Sequence, residues 1–397
     1  MNAERKGQSP FYPGQPVPVD LFVGRAEEVE RISRAAMQVA AGKPQAIFIS
    51  GEYGIGKSSL ARYVRVFAED DPGLLGFHVM LGGANSLEDL ATTTVQTVAS
   101  ATAMKPKATE RIREILADYI GEQSLFGVKL HLEKLRRDAP DISAGYLPFL
   151  RNVYERIKDN YTGLMLILDE INGMAGKASF SRFLKGLVDE NALSDMSLPL
   201  LLVLCGTGER HREMIEHHRP VERIFEVAHI KPMTDAEMRE FFERAFAQVG
   251  MRVEEPAMQV FCRYSGGLPK LMHLVGDAAF WIAPANAVDK DVTISAILAA
   301  AEDVGRKFID QQVYRALRSK DYHSILAKLA RHDFDLIFKK SKVEQGLSSE
   351  ERRKFNNFLQ RMKKLKVLAP GEERGEYAFR DRLTRLYLML EAVTRNE

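Results

Sequence analysis

The chain has 397 residues, of which 45% are hydrophobic and 28% charged, with a formal net charge of +2 and two cysteines. That length is too great for one hydrophobic core and predicts two or three domains, and the composition is that of a globular protein and not of a disordered or fibrous chain. No apolar stretch approaches the roughly 20 residues that cross a bilayer, no charged-then-apolar leader opens the sequence, and lone Cys205 and Cys262 suit packing in a reducing compartment, so membrane, secreted and disulfide-framework classes are set aside and a cytoplasmic location is expected.

Residues 1–20 are polar and punctuated by Pro10, Pro13, Gly14, Pro16 and Pro18, which predicts an extended arm and not a packed element. Leu21-Phe22-Val23-Gly24-Arg25 then leads into a helix over residues 26–41, with Val29, Ile32, Ala36, Val39 and Ala40 at helical spacing. Across residues 21–232 strand-like runs alternate with helical ones, the pattern of a parallel sheet with helices on both faces. The strand candidates are residues 46–49, 76–80, 164–168, 200–205 and 224–228. Residues 86–159 read as charged and largely helical, broken at Phe126-Gly127-Val128-Lys129-Leu130 by a short hairpin.

After Pro232 the pattern turns helical. Thr234 and Glu237 have the spacing of a capping box opening a helix over residues 234–249. Further helices over 256–264, 268–282 and 293–304 complete a small helical lid, residues 233–305. Residues 306–397 begin with amphipathic helices near 322–331 and 334–343, and Ser348 with Glu351 caps a basic helix over 349–364. Val367 to Gly371, a turn, and Glu376-Tyr377-Ala378-Phe379-Arg380 follow as a hairpin. Three helices and then a two-stranded hairpin is the order of a winged helix-turn-helix.

Chemistry concentrates first at Gly51-Glu52-Tyr53-Gly54-Ile55-Gly56-Lys57-Ser58, a full match to G-x-x-x-x-G-K-[ST]. It follows the apolar Ala46-Ile47-Phe48-Ile49 and precedes the helical Ser59-Leu60-Ala61. Glycines let a backbone wrap an anion, the helix start aims N–H groups at it, Lys57 supplies charge for the β- and γ-phosphates, and Ser58 can hold Mg²⁺. The second part is Leu164-Met165-Leu166-Ile167-Leu168-Asp169-Glu170, an apolar run that fits a strand buried on both faces and ends in two carboxylates at the sheet's C-terminal edge. Asp169 then belongs to the Mg²⁺ shell, and Glu170 polarises the water that attacks the γ-phosphate. Both acids together predict hydrolysis as well as binding of a nucleoside triphosphate.

Charge is uneven: residues 318–397 carry 19 Lys+Arg against 12 Asp+Glu, a net of +7, leaving −5 for the rest. Arg352, Arg353 and Lys354 in one turn, then Arg361, Lys363, Lys364 and Lys366, place positive charge on a helix in the recognition position. Such a surface suits phosphate contacts on duplex DNA. Glu350 and Glu351 dilute it, and winged helices also bind proteins, so duplex DNA and a protein effector both stay open as partners.

These pieces in order resemble an AAA+ type P-loop ATPase of the branch that contains archaeal ATPases, origin-recognition ATPases and the signal-transduction (STAND) ATPases. The resemblance is carried by Phe22-Val23-Gly24-Arg25, the Walker A loop Gly51 to Ser58, the Walker B strand ending in Asp169-Glu170, Leu204-Cys205-Gly206-Thr207 as the sensor-1 strand, and Gly266-Gly267-Leu268-Pro269 in the lid. Tyr377-Ala378-Phe379-Arg380-Asp381 and Leu386-Tyr387-Leu388 also resemble the C-terminal winged helix of archaeal ATPases. The resemblance implies ATP and Mg²⁺ as cofactors, Val23, Gly24 and Arg25 against adenine, and a Thr207 hydroxyl that orients the attacking water or the γ-phosphate. Ser59 completes the nucleotide loop. Gly267 and Pro269 would bring the lid to the nucleotide, although a helix-start turn accounts for the same residues. Origin-recognition ATPases place an Arg as sensor 2 where this chain has Pro269-Lys270.

An arginine finger acting in trans within a homo-oligomer is implied at Arg223, with Arg219 the runner-up; the alternative is a surface arginine paired with Glu222 or Glu226. Two functions follow: nucleotide-controlled assembly on DNA, or a regulatory switch, in defence or signalling, that docks a protein. A remodelling motor ranks third, because no aromatic pore-loop motif is evident.

Overall fold

The structure, a computed structural model, describes residues 7–15, 17–18, 21–103, 142–284, 287–317, 319–332, 336–371 and 373–394. The hairpin expected at residues 126–130 lies outside them. The chain divides into two compact units, Pro16–Lys231 and a second made of Met1–Gln15 with Pro232–Glu397.

The first unit is built on five strands: β1 Gln45–Ser50, β2 Leu74–Met80, β3 Gly163–Asp169, β4 Leu200–Gly206 and β5 Glu226–His229. They lie in the order β2-β3-β4-β1-β5 with every pairing parallel. Every residue of β3 and β4 is buried, which is why both read as unbroken apolar runs and not as alternating ones. Helices Ala26–Ala40, Lys57–Asp70, Leu87–Ala103, Ile142–Ile157, Ala178–Ala192 and Gly208–His217 connect the strands or lead into them. Phe48, Phe77, Leu166, Leu168, Phe180 and Leu184 belong to one continuous core. Parallel pairing sends the chain back through a crossover each time, so the C-terminal ends of the strands share one edge. The residues after β1, β3 and β4 are therefore neighbours, although they are far apart in sequence.

In the second unit, helices Asp235–Ala247, Glu255–Ser265, Pro269–Ile282 and Lys290–Val304 are joined by a parallel pair, β6 Arg252–Val253 and β7 Ala287–Val288. The capping box forms: Glu237 N–H donates to Thr234 Oγ1 at 3.3 Å, and Thr234 N–H donates to Glu237 Oε2 at 2.7 Å. The described residues of the proline-rich arm form no helix or strand, yet Phe11 is only 4% exposed. Its ring packs edge-on to Phe246 with centroids 4.9 Å apart and lies 6.0 Å from Phe241, where a side chain at Gly276 would collide with it.

A π-helix, Gly305–Tyr314, leads to helix Lys320–Arg331, β8 Ile337–Lys339, a short helix Lys340–Glu344, helix Ser349–Lys364, β9 Leu368–Pro370, β10 Glu376–Phe379 and helix Arg382–Thr394. The three strands form an antiparallel sheet in the order β8-β10-β9. The helix expected over residues 334–343 is thus corrected to a strand and a short helix. Ile337, Phe338 and Lys339 alternate exposed, buried, exposed, and a three-residue run is too short for periodicity to separate strand from helix.

Candidate nucleotide-binding site

The loop from Gly51 to Gly56 springs from the end of β1, and helix Lys57–Asp70 begins immediately after it. Gly54 and Gly56 have φ of +81° and +100°, which side chains rarely tolerate, so glycine is what lets the loop turn back on itself before the helix. The loop is braced from behind by Arg25, which is buried. Its guanidinium donates to the Ile55 carbonyl at 3.2 Å and also to the carbonyl of Lys231. Val23 is buried beside it in sequence, Gly24 has φ +72°, and Phe22 stacks on Tyr63 with centroids 4.4 Å apart. Ser59 accepts a bond from Val17 N–H at 3.2 Å, while Glu52 and Tyr53 stand exposed at the loop's tip.

Lys57 curls over the loop and donates from Nζ to the carbonyls of Gly51 at 3.0 Å and Glu52 at 2.7 Å. Burial pulls its ammonium below the ordinary lysine pKa, while the charges of Asp169, Glu52 and Glu170 act in the opposite direction.

Asp169 closes β3, 1% exposed, and is ringed by donors. Its Oδ2 lies 2.9 Å from His78 Nε2, its Oδ1 accepts from Glu170 N–H at 2.8 Å, and the hydroxyl of Ser58 and the thiol of Cys205 also hydrogen-bond to it. Burial alone would raise the pKa of this carboxyl. The bonds from His78 and Ser58 outweigh it, and the net shift is downward. Asp169 is therefore an ionised, acceptor-only group, and Nε2 is the protonated nitrogen of His78. Burial holds the Cys205 thiol well above its usual pKa, so it donates as a neutral S–H.

Glu170, by contrast, is exposed and sits in the left-handed region at φ +56°, a conformation costing roughly 1–3 kcal/mol in a residue with a side chain. A side chain at Gly82, which follows β2, would strike the Glu170 carboxylate. Thr207 follows β4 and caps helix Gly208–His217 by accepting from Arg210 N–H at 3.3 Å, which leaves its hydroxyl proton free to donate. The strand register thus brings together Lys57, Ser58, Asp169, Glu170 and Thr207. It adds His78, which the sequence reading did not single out, and Cys205, to which it gave a packing role.

The remaining candidates lie elsewhere. Arg219 and Arg223 stand exposed at the two ends of a 3-10 helix, and Glu226 pairs with Arg31 at 3.4 Å and not with either of them. In the second unit Gly267, at φ +73°, lets the backbone approach Met233, whose N–H donates to the Gly267 carbonyl at 2.8 Å. Pro269 is the first residue of helix Pro269–Ile282. Lys270 beside it has a pKa lowered by burial and by the charge of Arg380. On helix Ser349–Lys364, Arg352 donates to the carbonyls of Glu344 at 2.8 Å and Gln345 at 3.3 Å, and Lys354 pairs with Asp321 and Glu350. Arg353, Arg361 and Lys364 are exposed and Lys363 is half-buried.

The donor set suits Mg²⁺. A hydroxyl and an ionised carboxylate, already in contact at the mouth of an anion-binding loop, are the hard oxygens that ion takes alongside phosphate and water. A phosphate loop after β1, an acid pair after β3 and an intervening strand β4 that ends in a hydroxyl define a P-loop nucleoside triphosphatase. Residues 21–215 match the family model of the AAA ATPase domain.

The whole chain is similar in fold to the Aeropyrum pernix ORC2 protein solved in ADPNP-ADP complexes, with 16% identity, 99% of this chain and 97% of that one covered, and a TM-score of 0.60. It is also similar to a Walker-type ATPase of Pyrococcus abyssi, with 16% identity, 92% and 96% covered, and a TM-score of 0.57. No curated protein matches it. Among the described residues no helix is long and apolar enough to cross a membrane.

Proposed function

We propose that this AAA ATPase couples the hydrolysis of ATP to assembly on duplex DNA, with residues 306–397 acting as a winged helix-turn-helix. The observation that carries the hydrolytic part is the contact between Ser58 and Asp169 beside Lys57 and Glu170. Backbone N–H groups of the loop cradle the phosphates, and Lys57 leaves the Gly51 and Glu52 carbonyls for the β- and γ-oxygens. Ser58 and Asp169 would hold Mg²⁺, which when bound would neutralise charge building on the transferred phosphoryl group. Glu170 orients the attacking water and accepts its proton, and Thr207 donates its hydroxyl hydrogen to that water or to the γ-phosphate. Val23, Gly24 and Arg25 form the base side of the site. Arg223 completes a neighbouring subunit's site in a homo-oligomer, supplying positive charge only when the interface closes.

The DNA part is supported by the order helix, β8, helix, helix, β9, β10 and by the basic residues at the C-terminal end of helix Ser349–Lys364. A second reading, a STAND-like switch that docks a protein effector, is favoured by the neutralisation of Arg352 and Lys354 within the chain.

Turnover of ATP measured with and without duplex, at low and moderate salt, separates the two. Stimulation by duplex that fades with salt and is lost in Lys363→Glu/Lys364→Glu supports the first. Turnover indifferent to duplex rejects it in favour of the second.

A further inference from the structure

The basic residues of the C-terminal region divide into two sets. Lys354, Lys328 and Arg352 are consumed internally, by Asp321 and Glu350, by Glu351 and by backbone carbonyls respectively. Arg315 and Arg361 are different: among the described residues neither side chain makes a hydrogen bond or an ion pair, and both residues are exposed. The acids nearest Arg315 in sequence are already engaged, Asp310 by the Tyr387 hydroxyl at 2.9 Å and Asp321 by Lys354.

These two arginines line one cleft, together with Ala316, Ser319 and Tyr322, with a volume of about 480 Å³. Arg315 caps the π-helix and Arg361 lies in the last turn of helix Ser349–Lys364. Ser319 is the N-cap of the twelve-residue helix Lys320–Arg331 but makes no side-chain capping bond, and while Tyr322 and His323 N–H donate to its carbonyl, its hydroxyl and the N–H groups of Lys320 and Asp321 have no partner among the described residues. Tyr322 is held by an edge-to-face contact with Phe358, centroids 5.7 Å apart.

We infer that this cleft is a phosphate site distinct from the Walker loop, and that its ligand is a phosphate ester. Two guanidinium groups, a hydroxyl and a helix start offer more donors than a carboxylate can accept and match the several oxygens of a phosphate. The volume exceeds what a bare anion needs and falls in the range of sites for small organic ligands, which leaves room for the sugar attached to the phosphate. The ester is supplied either by a nucleic-acid backbone or by a free nucleotide. The site's existence does not depend on which, so it stands apart from the proposal of DNA assembly.

Full-length protein and the double variant Arg315→Gln/Arg361→Gln are compared for binding of a labelled duplex by anisotropy across a salt series, and of AMP by calorimetry with adenosine as the phosphate-free control. Arg353→Gln serves as a control for general surface charge. Both altered residues are exposed, so the thermal midpoint should be unchanged.

For a site of this kind, the double variant loses roughly tenfold or more in affinity for duplex or for AMP, with adenosine unbound. For duplex, the slope of log affinity against log salt falls by about two while Arg353→Gln changes it less. Loss for duplex names the backbone as the source, and loss for AMP alone names a free nucleotide and leaves the DNA reading to its own test. Duplex binding that is unaltered in the double variant, without AMP binding, overturns the cleft and leaves the DNA reading standing. Equal losses in the double variant and Arg353→Gln overturn it too, as does a wild-type protein that binds neither probe.

Discussion

His78 Nε2 lies 2.9 Å from Asp169 Oδ2, so the second strand of the sheet holds in place the carboxylate that ends the third. Met80 pairs with Asp169 in the register, which sets His78 two residues back on the same face, one diagonal step away. Replacing His78 with Ala is expected to lower affinity for Mg²⁺-ATP by about tenfold or more, as loss of a partner behind a metal-holding group commonly does. Metal-free ATP binding should be unchanged, and Asn or Gln should recover part of the loss. Nucleotide binding with and without Mg²⁺ decides this; an equal loss in both would mean a merely structural histidine.

Lys57→Ala is expected to abolish ATP binding, while Glu170→Gln should retain it and cut turnover by about 10² or more, the scale of general-base catalysis. Equilibrium binding of a fluorescent ATP analogue with single-turnover hydrolysis reads both. Wild-type turnover in Glu170→Gln would remove this carboxylate from its proposed role.

Phe11→Ala should destabilise the helical unit by about 3 kcal/mol, the usual cost of emptying a buried phenylalanine site. Gly276→Val should do so through the same contact, by evicting the Phe11 ring. Thermal unfolding and the rate of proteolysis within the arm should change together in both variants.

Acid should loosen the same anchor. His273 is buried, accepts Tyr12 N–H at 3.1 Å, and is held down by that burial to a pKa of about 4, against an ordinary value of 6.5. The unfolded state binds the proton more readily, so the stability from this group is complete above about pH 6.5 and declines as pH falls toward 4. Other groups on the packed elements, among them Arg239 with Glu255 across two of the helices, are ion-paired over that window. Proteolysis of the arm should therefore accelerate between pH 6.5 and 4 in the wild type, and much less in His273→Phe.

The Walker loop, the acid pair and the sheet were legible because each depends on local sequence: glycine spacing, a buried apolar run and an acid at its end. His78 and Cys205 were not, since a lone polar side chain in an apolar strand gains its meaning only from the strand beside it. Register supplied that meaning, and no single segment encodes register. Phe11 was hidden for a related reason, because the pocket that receives it comes from helices more than two hundred residues away. Composition marked the basic helix, but the partners that neutralise Arg352 and Lys354 come in part from other segments, so charge on the page and charge available to a ligand were different quantities.

Arg25 joins two carbonyls, those of Ile55 in the phosphate loop and of Lys231, the last residue of the first unit. One rigid guanidinium plane cannot follow two oxygens that move independently. A shift of the loop around a γ-phosphate is thus registered, through a single side chain, at the point where the backbone departs for the rest of the molecule. Arg25 makes the loop and that departure point one mechanical linkage.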